Sequence, residues 1–352
     1  MTMRIQSVKE LRPGQILGQS LYTEKGEILL RKGVYISPFI IKKLQESGYA
    51  SVYIWEDSME YELEDVIRPE IRQRAINDLR KFTKAMEGED PKEIEGKMGV
   101  LRAEISTVVE ELFHQKEIVV ELVDMKNINR GLYQHSVNVM IHSVILAVGL
   151  GLNREEVGKV ALGALLHDIG LVFMPTELMQ RPGPLSPEEY EEMKVHPKKG
   201  FEFLRDRLNL EATIRMGILD HHEHYDGSGY PRGKKGKDIH LYGRIIAVAN
   251  KYDSIISDRH YKKGVPVAEA LEYIMGGGGS VFDPELTRIF IRNINPYPVN
   301  TLVELSDGNV AAVAEVHRNF FTRPVVRIVR GKDQGKKIDL LQENNRVIKR
   351  TL

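Results

Sequence analysis

The sequence predicts a mainly α-helical protein, with a small α+β unit at its N-terminus and a small β appendage at its C-terminus. Three observations lead there. Residues 131–292 read as successive helical segments with short breaks between them. Residues 1–60 mix strand-like runs with one well-signalled helix. Beyond the punctuation "PYPVN" at 296–300, strand-like stretches alternate around Asp-Gly and other Gly-containing turns. A chain of 352 residues, 42% apolar and 28% charged, suits a soluble globular protein of two or three domains.

Taken in order, "GQSLYTEKGEILLRKGVYIS" carries two strand-like runs about Lys25-Gly26, a hairpin signal. "SPFIIKKLQESGY" follows as a helix, with Ser37 as N-cap, Pro38 at its first position and Gly48 at its end. "ASVYIW" returns as a strand, and the lone Trp55 reads as a packing residue. Residues 61–130 form a charge-rich helical connector. Its helices are "EDVIRPEIRQRAINDLRKFTKAM" and "MGVLRAEISTVVEELFHQ", with "EGEDPKEIEG" as the loop between them. Their alternating charges describe a solvated face, or alternatively a dimerising coil that would make a homodimer. Residues 131–292 are the helical domain, in which "GGGGS" at 276–280 is a loop, and residues 293–352 are the β-rich appendage.

Charge and cysteine usage exclude some functions. Lys plus Arg equals Asp plus Glu at 50 each, against the basic excess that a nucleic-acid polymer requires. A small anionic ligand needs only a few local cations and stays open. The absence of cysteine removes disulfides and thiolate metal sites and fits a reducing cytoplasm. No stretch is long and apolar enough to span a membrane, and "MTMRIQSVKELRPGQ" lacks a signal-peptide core. The expectation is a cytoplasmic protein without a membrane partner.

Five of the eleven histidines are set out along the helical domain in a suggestive order. His135 lies in "LYQHSVNVM", His167 and Asp168 in "ALLHDIGL", His196 in "KVHPKKG", and His221 and His222 in "DHHEHYDGSGYP". Each group follows the last by about a helix and a loop, so a bundle can gather them from different helices. Neutral imidazoles and a carboxylate suit divalent first-row metals, and the two oxygens of Asp168 can bridge a pair of ions. Two such ions clamp a phosphodiester by neutralising its charge and acidifying water. Next to them, Gly227 and Gly229 permit a tight turn, Tyr230-Pro231 makes a rigid extended exit, and Tyr230 is offered to a ligand or partner.

These motifs, with "SDRHYKKG" and "FDPEL" after them, resemble the HD-GYP branch of the HD-domain phosphohydrolases from about Gly131 to Phe290. The resemblance implies an all-helical HD-type metal-binding domain holding divalent ions, iron or manganese, and hydrolysis of cyclic di-GMP to pGpG and GMP in bacterial signalling. It implies a first metal on His135, His167 and Asp168, and a second on Asp168, His196, His221 and His222. Arg259 and Lys262, in "RHYK", would contact phosphate. Signalling partners of the GGDEF type are a further implication.

Three positions depart from the family pattern. Leu171 stands where a Lys follows "HDIG". Gly131 stands where a Glu would serve a third metal, so two metals are expected and a third is not. Asn250, in "RIIAVANKYDSI", stands where an Asp would close the first metal site. Asp168 and Asn250 are therefore the positions on which catalysis turns. An amide oxygen is neutral and a weaker ligand than a carboxylate. Asp253, on the same helix face, could compensate only through a shifted helix or a bridging water. Two readings follow: a working phosphodiesterase, or a degenerate relative that binds cyclic di-GMP or a protein without turnover.

Overall fold

A computed structural model describes residues 2–22, 28–47, 49, 51–56, 67–88, 90–114, 120–121, 132–180, 183–257, 264–317 and 320–351. The N-terminal unit contains β1 (Thr2–Ser7), β2 (Ile16–Leu17), β3 (Leu21–Tyr22), β4 (Ile28–Leu30), α1 (Pro38–Glu46) and β5 (Ser51–Glu56). β1, β5 and β2 form an antiparallel sheet in that order, and β3 pairs with β4. β1 and β2 are additions to the sequence reading: their partner β5 lies far along the chain, so local pattern does not mark them. The expected cap is present, with the Ser37 hydroxyl accepting from the Ile40 amide at 3.2 Å. Leu17, Ile36, Leu44 and Ile54 close a small core of their own. Trp55 is half-buried beneath the Lys32 ammonium. The hairpin residues Lys25 and Gly26, and Gly48, lie outside the described residues.

The charge-rich segment supplies α2 (Pro69–Glu87), α3 (Pro91–His114) and β6 (Val120–Glu121). Two details correct the sequence reading. α3 starts at Pro91, inside the stretch read as a loop, because the Asp90 carboxylate accepts from the Lys92 amide at 3.0 Å and proline suits a first helical turn. β6 pairs in parallel with β7 (Ile294–Asn295), so the segment is not wholly helical. The apolar faces of α2 and α3 do not point outward to a coil partner. Ile71, Leu79, Phe82, Leu101, Val108 and Leu112 enter the same core as the helices that follow.

Those helices are α4 (Leu132–Gly149), α5 (Arg154–Leu165), α6 (Thr176–Gln180), α7 (Pro187–Met193), α8 (His196–Arg207), α9 (Ala212–Asp220), α10 (Leu241–Ile256), α11 (Val267–Gly276) and α12 (Pro284–Arg292). α4 is enclosed nearly all round and packs against α5 and α10. Capping boxes start α5 at Asn153 and Glu156, and α7 at Ser186 and Glu189. Of the stretch 276–280 read as a loop, Gly276 still belongs to α11 and residues 277–280 form the turn.

The C-terminal unit is a five-stranded antiparallel sheet, ordered β11-β10-β9-β8-β12. Its strands are β8 (Leu302–Leu305), β9 (Val310–Glu315), β10 (Val325–Arg330), β11 (Lys337–Asp339) and β12 (Ile348–Thr351). Val303, Leu305, Val313, Val326, Ile328 and Leu340 form its separate core. Among the described residues no helix is long and apolar enough to cross a membrane.

Candidate metal centre

The helical core brings all five singled-out histidines around one carboxylate. His135 comes from α4, His196 from the start of α8, and His221 and His222 from the turn just after α9. His167 and Asp168 sit between α5 and a 3-10 turn, Ile169–Phe173. That turn lies directly on α8. A Cβ on Gly170 would fall 1.9 Å from the His196 carbonyl oxygen, so only glycine lets the two backbones approach and carries Asp168 to His196.

The two oxygens of Asp168 face different groups. Oδ2 lies 3.2 Å from His167 Nε2 and 3.7 Å from His135 Nε2. Oδ1 lies 3.3 Å from His196 Nε2 and 3.6 Å from His221 Nε2. Ligand atoms of His135, His167 and Asp168 lie within 4.8 Å of one another, as do those of Asp168, His196, His221 and His222. Asp168 is the member the two groups share, and the His167 and His221 rings pack edge-on with centroids 4.9 Å apart.

Backbone geometry sets the imidazole tautomers. His167 Nδ1 donates to the Ala164 carbonyl at 2.8 Å, His196 Nδ1 to Met193 at 2.8 Å, and His221 Nδ1 to Ile218 at 2.6 Å. Each neutral ring then presents a bare Nε2 lone pair to the centre. His196 Nε2 and His221 Nε2 face each other at 3.4 Å, and buried His167 Nε2 receives no hydrogen bond. Facing lone pairs repel unless a cation or proton lies between them.

A proton is disfavoured here. Burial lowers the His221 pKa to about 4. Burial, followed by the charge of His221, holds His222 well below its ordinary value. Burial would raise the Asp168 pKa, but the surrounding His167, His196 and His221 outweigh it and hold the carboxyl well below the usual carboxylate range. Imidazole nitrogens around an ionised carboxylate are a donor set that fits a divalent first-row metal.

The first group has a further arrangement on α10. Asp253 Oδ2 accepts from His135 Nδ1 at 2.6 Å, while Asn138 Nδ2 and the Ser257 hydroxyl donate to the same carboxylate at 3.0 and 3.2 Å. Asp253 is therefore spent on orienting His135, a role the sequence reading missed when it weighed Asp253 as a substitute ligand. Asn250 faces the other ring nitrogen, with Oδ1 3.1 Å from His135 Nε2. Spacing already placed Asn250 and Asp253 on one face. It could not show that His135 lies between them.

The loop after His222 is pinned from beneath. The Glu223 carboxylate accepts from the Arg232 and Lys234 amides at 2.8 and 3.0 Å. Buried Asp220 accepts from the His240 amide at 3.1 Å and from the Arg232 guanidinium. Neither residue was picked out in the sequence, although both belong to "DHHEHYDGSGYP". Gly227 adopts a φ of 90°, as a tight turn requires. Gly229 has another reason: a Cβ there would lie 2.1 Å from the His224 nitrogen and 2.5 Å from the His222 oxygen. The Tyr230–Pro231 peptide is cis and the chain bends there, which corrects the expected extended exit. The Tyr230 ring stacks on His222, with centroids 4.7 Å apart and planes 18° apart. Burial raises the Tyr230 pKa, so its hydroxyl stays protonated.

Leu171 is half-buried in the 3-10 turn and brings no donor to the centre. Arg259, Lys262 and Gly131 lie outside the described residues.

A profile of the HD domain family matches residues 104–286, more than half of the chain, and a profile of the KOW domain associated with the HD domain matches 302–352. A cyclic di-GMP phosphodiesterase of Pseudomonas aeruginosa is 37% identical over 210 residues, covering 60% of this chain and 50% of that protein. Another of that name from Thermotoga maritima is 36% identical over 179 residues, covering 49% and 48%. The chain thus spans about half the length of the curated relatives it matches. A solved HDGYP protein from Bdellovibrio bacteriovorus shares the fold, with a TM-score of 0.51 at 21% identity over 82% of this chain and 98% of that one.

Proposed function

The chain belongs to the HD domain family, in its HD-GYP branch, and on that premise we propose that it is a metal-dependent phosphodiesterase hydrolysing cyclic di-GMP. The observation that carries the reading is the convergence of imidazole lone pairs on the two sides of Asp168. The substrate is supported by the names of the relatives in Pseudomonas aeruginosa and Thermotoga maritima. In this reading two divalent ions, iron or manganese, are held by His135, His167 and Asp168 on one side and by Asp168, His196, His221 and His222 on the other. Such ions supply Lewis acidity: they neutralise phosphoryl charge and acidify water.

The chain's own residues do the remaining work. Asp168 spaces the two halves with one oxygen turned to each. Asp253 keeps His135 in one tautomer with its Nε2 bare. Tyr230 walls the second half by covering the His222 ring. Arg259 and Lys262 would bind phosphate oxygens, and Leu171 leaves the position after "HDIG" without a charge. Regulation by GGDEF-type partners, a homodimeric state and a cytoplasmic setting complete the proposal.

The test is direct. The purified chain, loaded without oxygen with Fe(II) or Mn(II), is given cyclic di-GMP, and pGpG and GMP are the expected products. Absence of product with either metal sinks the enzymatic reading. The alternative of a receptor, motivated by the departures at Asn250 and Leu171, would show in calorimetry as cyclic di-GMP binding without turnover.

A further inference from the structure

We propose that the two halves of the centre are unequal, and that an anion and the cation of the Asn250 half bind cooperatively. The inference rests on the metal-centre reading above and concerns the order and linkage of binding. It starts from the donor count. On the His196 side there are three imidazoles, His196, His221 and His222, and Asp168 Oδ1. On the His135 side there are two imidazoles, Asp168 Oδ2 and the amide oxygen of Asn250, which is 3.1 Å from His135 Nε2. Imidazole is a better donor to a divalent first-row metal than an amide oxygen. The His196 side therefore fills first.

Charge then makes the second step costly. Asp168 is the one carboxylate the two halves share, and it is divided between them. Asp253 adds a negative charge only behind His135, where Asn138 and Ser257 already hydrogen-bond to it. Two dications thus meet one directly coordinating anion, and the second cation enters against the charge of the first. A small dianion such as phosphate relieves this repulsion. Because linkage is reciprocal, whatever factor the anion adds to the second metal's affinity, that metal adds to the anion's. Asn250 is the residue that sets the size of the effect.

The probe is Mn(II) titrated into metal-free full-length chain, with bound metal counted by electron paramagnetic resonance and calorimetry, in the absence and presence of inorganic phosphate. The expected result without phosphate is one tight equivalent and a second at least about tenfold weaker. Phosphate should tighten the second equivalent by about tenfold or more and move the first little. Asn250→Asp should tighten the second equivalent without phosphate and shrink the phosphate effect, and Asn250→Ala should weaken it further. Two equal equivalents indifferent to phosphate in the unaltered chain overturn this inference and leave the metal centre standing. Binding of no Mn(II) at all overturns the centre itself, and the inference with it.

Discussion

His142 offers a sharp test of how dry the helical core is behind the centre. It lies on α4 two turns beyond His135, and it is fully buried. Its ring packs edge-on to Tyr252 at 5.0 Å and to Phe290 at 6.2 Å, and neither ring nitrogen has a hydrogen-bond partner among the described residues. Burial lowers its pKa from 6.5 to about 4; Asp253 opposes the shift, and Arg72 and His135 add to it. A base with a depressed folded pKa binds its proton first in the unfolded chain. Its contribution is fully present above pH 6.5 and is lost as pH falls toward about 4. At about pH 5 the loss is the gap of about 1.5 units below the unfolded value, or about 2 kcal/mol. Urea unfolding of the metal-free chain at about pH 7.5 and about pH 5 measures it against His142→Leu, which cannot titrate. His221 and His222 add their own pH dependence to both proteins and cancel in the comparison. The unaltered chain should lose about 2 kcal/mol more than the variant over this interval. Equal losses, or a His142 ring signal titrating near its ordinary value by nuclear magnetic resonance, would refute the reasoning.

Four further outcomes are expected. Gly229→Ala should dislodge the loop from His222, since the added methyl meets backbone at 2.1 and 2.5 Å, with a loss of about 3 kcal/mol by thermal denaturation and weakened metal binding by calorimetry. Asp253→Asn should reduce affinity at the His135 half about 10- to 100-fold, because His135 loses its anionic acceptor at Nδ1; metal content after dialysis reads it. Glu223→Gln should expose the 223–234 loop to proteolysis while its two backbone donors keep one weakened partner, and an unchanged cleavage rate would count against that anchor. Chelation should lower the melting temperature of the helical core and Mn(II) should restore it, by about 2.7 kcal/mol at a hundredfold excess over the dissociation constant.

The helical domain was legible because its signals are local. The histidine groups fell at helix-and-loop intervals that a bundle closes into one site, much as Ser37 with Pro38 marked the helix start in the N-terminal unit. What escaped was set by partners far along the chain. β1 depends on β5 and β6 on β7, neither of which shows in a local window. α2 and α3 displayed their charges, yet their apolar faces turn inward against α4 and α5, so a solvated connector and a core element look alike in sequence. Within the site, Asp220 and Glu223 escaped for a different reason. Beside adjacent histidines a carboxylate invites a chemical reading, whereas these two hold down backbone amides and cations of the following loop.

The pair on α10 shows most clearly why residue type and spacing do not assign roles. Asn250 and Asp253 are both polar, three apart, and turned to the same histidine. Judged by charge, Asp253 is the better metal ligand and Asn250 the defect. Position reverses the division. The buried carboxylate lies at His135 Nδ1, where it fixes the tautomer, and the amide oxygen lies at Nε2, on the side of Asp168. A negative charge at Asp253 therefore acts through the imidazole and strengthens it as a donor, while the neutral oxygen at Asn250 leaves the centre short of anions. Exchanging the two residues would conserve composition and net charge, yet it would leave His135 Nδ1 with only a neutral acceptor and give the centre a second carboxylate. The consequence of Asn250 is thus a matter of where charge resides around one imidazole ring, and only the fold determines that.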